Sequence, residues 1–226
     1  MSTGSTGSAG SVWRVPLALI VLCLIPLVSG SFRVLEVAGG PQLLPSNPRI
    51  AASPVPLVIH VVGAALYAVV GAFQFPAKLR RRRPAWHRRA GRVLVVAGVL
   101  VAGSGLWMTV FYPEAPGGAL LWTVRLVVAS ATGTSLVLGF AAIRRRDIAA
   151  HRAWMIRAYA LALGAGTQTI TQGVGEGLFG TGDLSTALSL TAGWAFNAAL
   201  AEWVIRRPTT RRTGRAGTRP ALVATP

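Results

Sequence analysis

Residues 56–89 read PLVIHVVGAALYAVVGAFQFPAKLRRRRPAWHRR, and the change of character inside that stretch decides the fold. Pro56–Phe75 has no ionisable side chain except His60. It is about as long as a helix needs to be, roughly 20 residues, to cross a hydrocarbon core about 30 Å thick. Immediately after it come Lys78, Arg80, Arg81, Arg82, Arg83, Arg88, Arg89 and Arg92. An apolar run ending in an arginine block is the pattern of a spanning helix that emerges on a basic face. A helix is the expected conformation because it satisfies every backbone N–H and C=O within the segment.

Working outward, five further stretches have the same character: Val15–Phe32, Val93–Tyr112, Ala119–Ile143, Ala158–Val174 and Leu184–Ile205. They resolve a conflict in the composition. The chain of 226 residues is 52% hydrophobic and only 13% charged, yet its formal net charge is +17. A soluble domain does not combine those values; apolar spans separated by arginine-rich loops do. The expectation is an all-α polytopic membrane bundle of six transmembrane helices. It occupies residues 13–207, between a disordered tail at 1–12 and a basic disordered tail at 208–226.

Basic residues fall on alternate loops. Arg14 precedes the first stretch; Lys78–Arg92 follow the second, Arg144–Arg157 the fourth, and Arg206–Arg219 the sixth. The intervening loops carry Arg33 and Arg49 with Glu36, Glu114, Glu176 and Asp183. The positive-inside rule then places both termini in the cytoplasm, with a bacterial plasma membrane as the setting. Arginine clusters beside apolar spans meet anionic lipid headgroups. Nucleic acid is not an expected partner, because no basic face interleaved with aromatic or polar readers is present. Arg14, the apolar run Val15–Val28 and Ser29-Gly30-Ser31 read either as a retained first helix or as a signal peptide. The retained helix is the reading adopted. The lone Cys23 excludes a disulfide framework.

Ile143–Arg152 can be laid on Leu79–Arg88 without a gap. In each, an arginine run closes one helix and a His-Arg pair opens the next, with His87 and His151 both eight positions after the aligned apolar residue. Two helical hairpins related as pseudo-repeats would set both histidines at one depth near the inner surface. Equal depth is what two axial ligands of one haem require.

The residues around these pairs resemble a family of bacterial membrane proteins catalogued as domain of unknown function 2306. Gly71-Ala72-Phe73-Gln74-Phe75 and Arg81–Arg92 carry the likeness in the first half, Arg145-Arg146-Asp147 and His151–Ala160 in the second. The resemblance spans Val58 to Gln172 and implies membrane residence without an activity. Members of the family carry an arginine late in the fifth helix; Gly166-Thr167-Gln168 stands there in this chain.

Two candidate sites follow. At the inner surface, His87 and His151 are candidate ligands of a b-type haem, with Asp147 at i−4 placed either to orient the His151 ring or to cap its helix. At the outer side, His60 and Arg125 lie at similar depth, and with Gln168 and Gln172 they outline a polar pocket. Such a pocket suits a quinone headgroup, a small anion or a proton relay; the bland reading has Arg125 snorkelling to headgroups. Glu202 has Arg206 one turn later as its expected partner. The small residues Ala64, Ala68 and Ala72, Gly98 with Ala102, and Ala129 with Gly133 mark close helix contacts.

Three functions compete: a cytochrome-like redox protein, a small-solute carrier, and a non-catalytic assembly subunit. Against the carrier, no stretch shows an evident break in mid-span. Against a complete electron path across the membrane, three histidines cannot supply two ligand pairs. The matched histidines favour the redox reading.

Overall fold

The structure, a computed structural model, describes residues 10–112 and 117–207, with side chains described from Trp13 onward. The two tails and Glu114 lie outside the described residues. Ten helices follow one another: α1 (Gly10–Leu22), α2 (Leu24–Val37), α3 (Pro48–Ala52), α4 (Pro54–Ala72), α5 (Ala77–Arg82), α6 (Pro84–Phe111), α7 (Gly118–Arg144), α8 (Ile148–Ala162), α9 (Gly164–Phe179) and α10 (Asp183–Arg206). There is no strand among the described residues.

Three of these helices, α4, α6 and α7, are long and apolar enough to cross a membrane, and α1 with α2 make a fourth if the bent pair counts as one span. The remaining expected stretches are helical but do not reach that measure. Helices α8 and α9 have 15 and 16 residues, and α10 is long without being sufficiently apolar. Large apolar side chains such as Val96, Val127, Ile170 and Phe196 point outward along the bundle. In water they would form an untenable patch; in hydrocarbon they are the solvated surface.

The helices pack in chain order where the loops are short. α4 lies on α6, α6 on α7, α7 on α8, and α10 closes on α7, α8 and α9. α1 and α2 lean on α4, and α2 also meets α9. The small residues are where close packing requires them. A Cβ on Gly98 would stand 2.8 Å from the Tyr67 ring and 2.7 Å from Leu136, so α6 can approach α4 and α7 only with glycine there. Gly133 faces Ala102 at 3.6 Å. The Tyr159 hydroxyl crosses to donate to the Ala68 carbonyl at 2.7 Å. Its ring fills the space opposite Gly71, binding α8 to α4 through the buried cluster of Cys23, Tyr67, Leu94, Leu136, Ala158 and Leu163.

Two stretches expected to be continuous are broken. The first breaks at Cys23, where α1 and α2 meet at 53°. Pro26 has no N–H to offer the Leu22 carbonyl, and its ring crowds that oxygen, so the ladder stops one turn earlier. The fifth breaks at Leu163, between α8 and α9. The cap N–H groups there fall on the Leu161 and Tyr159 carbonyls and pass over that of Ala160. The breaks touch: a Cβ on Gly166 would sit 2.7 Å from the Leu22 carbonyl oxygen. At its far end α9 is closed by a glycine. The helix runs through Gly173, Gly175 and Gly177 to Phe179 and stops at Gly180, whose φ of 74° suits glycine.

Candidate functional site

His87 and His151 occupy the same place in their helices. Each is the fourth residue, in α6 and α8 respectively. Each places its backbone N–H on the carbonyl of the residue before the helix, Arg83 at 3.1 Å and Asp147 at 3.0 Å. Both sit at the arginine-rich end, where His151 is among the groups whose charge acts on His87. Their rings are held differently. His151 Nδ1 is 2.8 Å from the Gly139 carbonyl on α7. A carbonyl only accepts, so Nδ1 carries a proton and the ring presents Nε2 on its other side. His87 Nδ1 is buried with no hydrogen-bond partner.

Asp147 does not orient the His151 ring. Its Oδ1 accepts from the Ala150 N–H at 2.9 Å, capping α8. The orienting acceptor is the Gly139 carbonyl, which no side-chain motif could reveal. Sequence reasoning also missed Gln74. Both ends of its buried amide are unpartnered, and its Oε1 lies 4.0 Å from where a Cβ on Gly91 would be, one turn beyond His87. His87 precedes the apolar run that starts at Val93. Burial, reinforced by the charges of Arg80, His151 and Arg88, holds its pKa below the ordinary histidine value. A neutral imidazole with an idle nitrogen and a second imidazole fixed through Nδ1 at the same end are a donor set for a metal-centred cofactor or a protonated ligand. No cluster of three or more His, Cys, Asp or Glu side chains forms among the described residues, so a bare metal ion would find two protein nitrogens.

At the same end, Arg157 makes a two-pronged contact with Glu202, Nε–Oε1 2.6 Å and Nη2–Oε2 3.1 Å. Arg206, the partner expected from spacing, is more distant at 3.6 Å. Beside this pair lies an open groove of about 440 Å³, lined by Ala199, Glu202, Trp203, Arg206 and Arg207. The Arg207 guanidinium lies 3.2 Å over the Trp203 ring.

The residues expected at the outer side divide into two groups. His60 Nδ1 is 3.1 Å from the Val101 carbonyl and 3.2 Å from Ser104 Oγ, so it joins α4 to α6. Arg125 lies on α7, half-buried. Gln168 instead donates to the Leu190 carbonyl of α10 at 3.0 Å, and Gln172 to Glu176 at 2.8 Å on its own helix. α9 packs chiefly against α10 and secondarily against α2, which turns both glutamines away from the α4–α6–α7 faces.

Apolar helices, outward-facing hydrophobic side chains and arginine-lined ends together define a helical membrane protein. The family model described as predicted membrane protein (DUF2306) matches residues 57–205. The chain belongs to that family, and the match extends past the quoted motifs through α10. No curated protein and no solved structure is measurably similar to it.

Proposed function

We propose that the chain is a six-span plasma-membrane protein whose arginine-rich, cytoplasmic end holds a b-type haem with His87 and His151 as its ligands. The observation that carries this reading is the bond from His151 to Gly139. Metal-ligating histidines characteristically commit one ring nitrogen to a carbonyl or carboxylate and present the other. His87, neutral and with a buried idle nitrogen, supplies the second donor. Haem would contribute reversible one-electron transfer at its iron. The chain's part is to present both imidazoles and to answer two propionates with nearby guanidinium groups such as Arg80 and Arg88. The matched positions of the two histidines in α6 and α8 support the hairpin repeat.

Six spans follow if α1–α2 and α8–α9 each cross the bilayer as a broken helix and α10 is the last. The alternation of arginine-rich and arginine-poor loops supports cytoplasmic termini. The groove at Trp203, Arg206 and Arg207 suits an anionic headgroup at the same surface. A carrier is the second reading, and the two helix breaks favour it: discontinuous helices meeting inside a bundle are a recurring feature of solute sites.

The test is a dithionite-reduced minus oxidised absorbance spectrum of detergent-purified, haem-supplemented protein, with His87→Ala and His151→Ala alongside. The reading expects a b-type band in the parent that disappears in both variants. If the parent shows no band, the redox reading fails, and the crossing of the two breaks becomes the place to seek a solute.

A further inference from the structure

The opposite end of the bundle holds two arginines that no acidic side chain among the described residues neutralises. Arg125 sits well inside α7, half-buried, with no hydrogen bond or ion pair among the described residues. One turn further in, Ala129 meets Gly105 at the point where the His60 ring also packs: a Cβ on Gly105 would be 3.5 Å from His60 Cε1 and 4.0 Å from Ala129 Cβ. Arg125 therefore stands one turn outward of the His60–Ser104 contact on that face of α7. Arg49 arrives from a different element. The Tyr112 hydroxyl, at the end of α6, donates to the Ser53 carbonyl at 2.6 Å. That bond draws α3, which carries Arg49, over the outer ends of α4 and α6. Arg49 uses Nε on Asn47 Oδ1 at 3.2 Å, and no other partner for its guanidinium is found among the described residues. Tyr112 lies seven residues from Gly105, on the same face of α6, so α3 with Arg49 and α7 with Arg125 approach one corner of the bundle.

The acidic residues do not answer them. Of six in the chain, Glu36 pairs with Arg33, Asp147 caps α8, and Glu176 accepts from Gln172. Asp183 accepts from the Gly117 N–H, and Glu202 pairs with Arg157. Glu114 lies outside the described residues. Two like charges, one of them set into an apolar helix, raise the energy of the fold unless an anion joins them. Guanidinium forks match oxyanions in two-pronged fashion, and two forks at one corner suit a tetrahedral group with several charged oxygens.

We propose that Arg49 and Arg125 form a phosphate-type oxyanion site at the arginine-poor end of the bundle, with Tyr112 at its rim. The group is either a free phosphate or the phosphodiester of a lipid headgroup. The site is independent of the histidine pair at the other end and stands or falls separately from the haem reading. It replaces Gln168 and Gln172 in the expected outer pocket with residues from α3 and α6.

Binding is measured on full-length protein in detergent with two probes. Inorganic phosphate is titrated by equilibrium dialysis, with chloride as the competing control. Phosphatidylglycerol is titrated by native mass spectrometry. Parent protein is compared with Arg49→Gln, Arg125→Gln and, as a control, Arg33→Gln, whose arginine already has a partner. Losing one charge-assisted fork is expected to weaken binding about tenfold or more. Loss of the phosphate signal in both Arg49→Gln and Arg125→Gln, but not in Arg33→Gln, identifies a free-anion site. The same pattern confined to phosphatidylglycerol identifies a headgroup site. Equal binding by parent and Arg49→Gln overturns the proposal. Arg49 lies on a short helix outside the apolar spans, so that variant remains decisive if Arg125→Gln does not fold. Glu114→Gln completes the set: no gain in anion binding is expected, and a gain of tenfold or more would show that Glu114 already occupies the site and overturn the proposal.

Discussion

The breaks at Cys23 and Leu163 are alike in outline and opposite in cause. Both divide a long apolar stretch into two helices, and they lie against each other through Leu22 and Gly166. The first is written into the covalent chain. Pro26 removes one N–H and crowds the Leu22 carbonyl, whatever surrounds it. The second has no proline. Gly164 and Gly166 weaken the helix there, but the carbonyl that loses its ladder donor, Ala160, is taken by the Asn197 side-chain amide of α10 at 3.0 Å. Asn197 Oδ1 in turn accepts from Thr167 at 2.8 Å, and Trp194 lies directly against Gly164. One interruption is imposed locally; the other is held from across the bundle. A proline break should survive changes elsewhere in the protein, whereas a break held by a neighbouring helix should depend on that neighbour.

The contact between the breaks is the point of greatest sensitivity. On Gly166 even a methyl group would stand 2.7 Å from a backbone oxygen, which cannot swing aside as a side chain can. Gly166→Val adds a branched side chain at that position. It should separate the end of α1 from α9 and cost about 3 kcal/mol, the upper part of the range for overpacking a close contact. Thermal unfolding followed by size-exclusion chromatography in detergent would register this as a large drop in midpoint. A midpoint equal to that of the parent would mean that the two breaks do not meet.

Asn197→Leu comes next. It leaves the Ala160 carbonyl and the Thr167 hydroxyl without their partners in a buried place. The expected loss is about 1–2 kcal/mol, since interhelical hydrogen bonds in membranes are worth less than the desolvation penalty alone suggests. Thr167→Val should cost less, and the double variant should cost clearly less than the sum of the two, because they share one bond. Additive losses in this cycle would show that Asn197 acts by packing, and the break at Leu163 would need another cause.

The same contrast explains what could be read from the sequence. The spans α4, α6 and α7 were legible because apolar length and arginine blocks are properties of the chain itself. The small residues at Gly98, Ala102 and Gly133 marked real contacts because close approach requires missing side-chain atoms wherever it occurs. The equal helix positions of His87 and His151 were legible because both follow matched loops. The tertiary partners were not legible. The Gly139 carbonyl that holds His151 has no side chain to announce it. The amide of Gln74 beside Gly91, the Arg157 that joins Arg206 at Glu202, and the Asn197 that holds open the fifth stretch are each set by which helix faces which. For the same reason Gln168 and Gln172 were grouped with His60 by depth alone, while rotation about α9 sends them toward α10 and Glu176. Even Pro26 stood in plain view; its effect was masked because the apolar run continues unbroken across it.

Pro26→Ala is the smallest change in stability and the most direct on geometry. Restoring an N–H at 26 lets the Leu22 carbonyl recover its ladder bond, and alanine has the highest helix propensity. Against that gain stands Gly166, packed on the same carbonyl, so the net change should stay within about 1 kcal/mol. The bend is what should move. Spin labels at Val15 and Leu35, both exposed and on opposite sides of the break, report its angle by pulsed electron resonance in a Cys23→Ser background. The distance should lengthen as the 53° bend relaxes toward a continuous helix. An unchanged distance would mean that the packing of α9 onto Leu22 holds α1–α2 bent as firmly as Asn197 holds α8–α9, and both breaks would then be tertiary in origin.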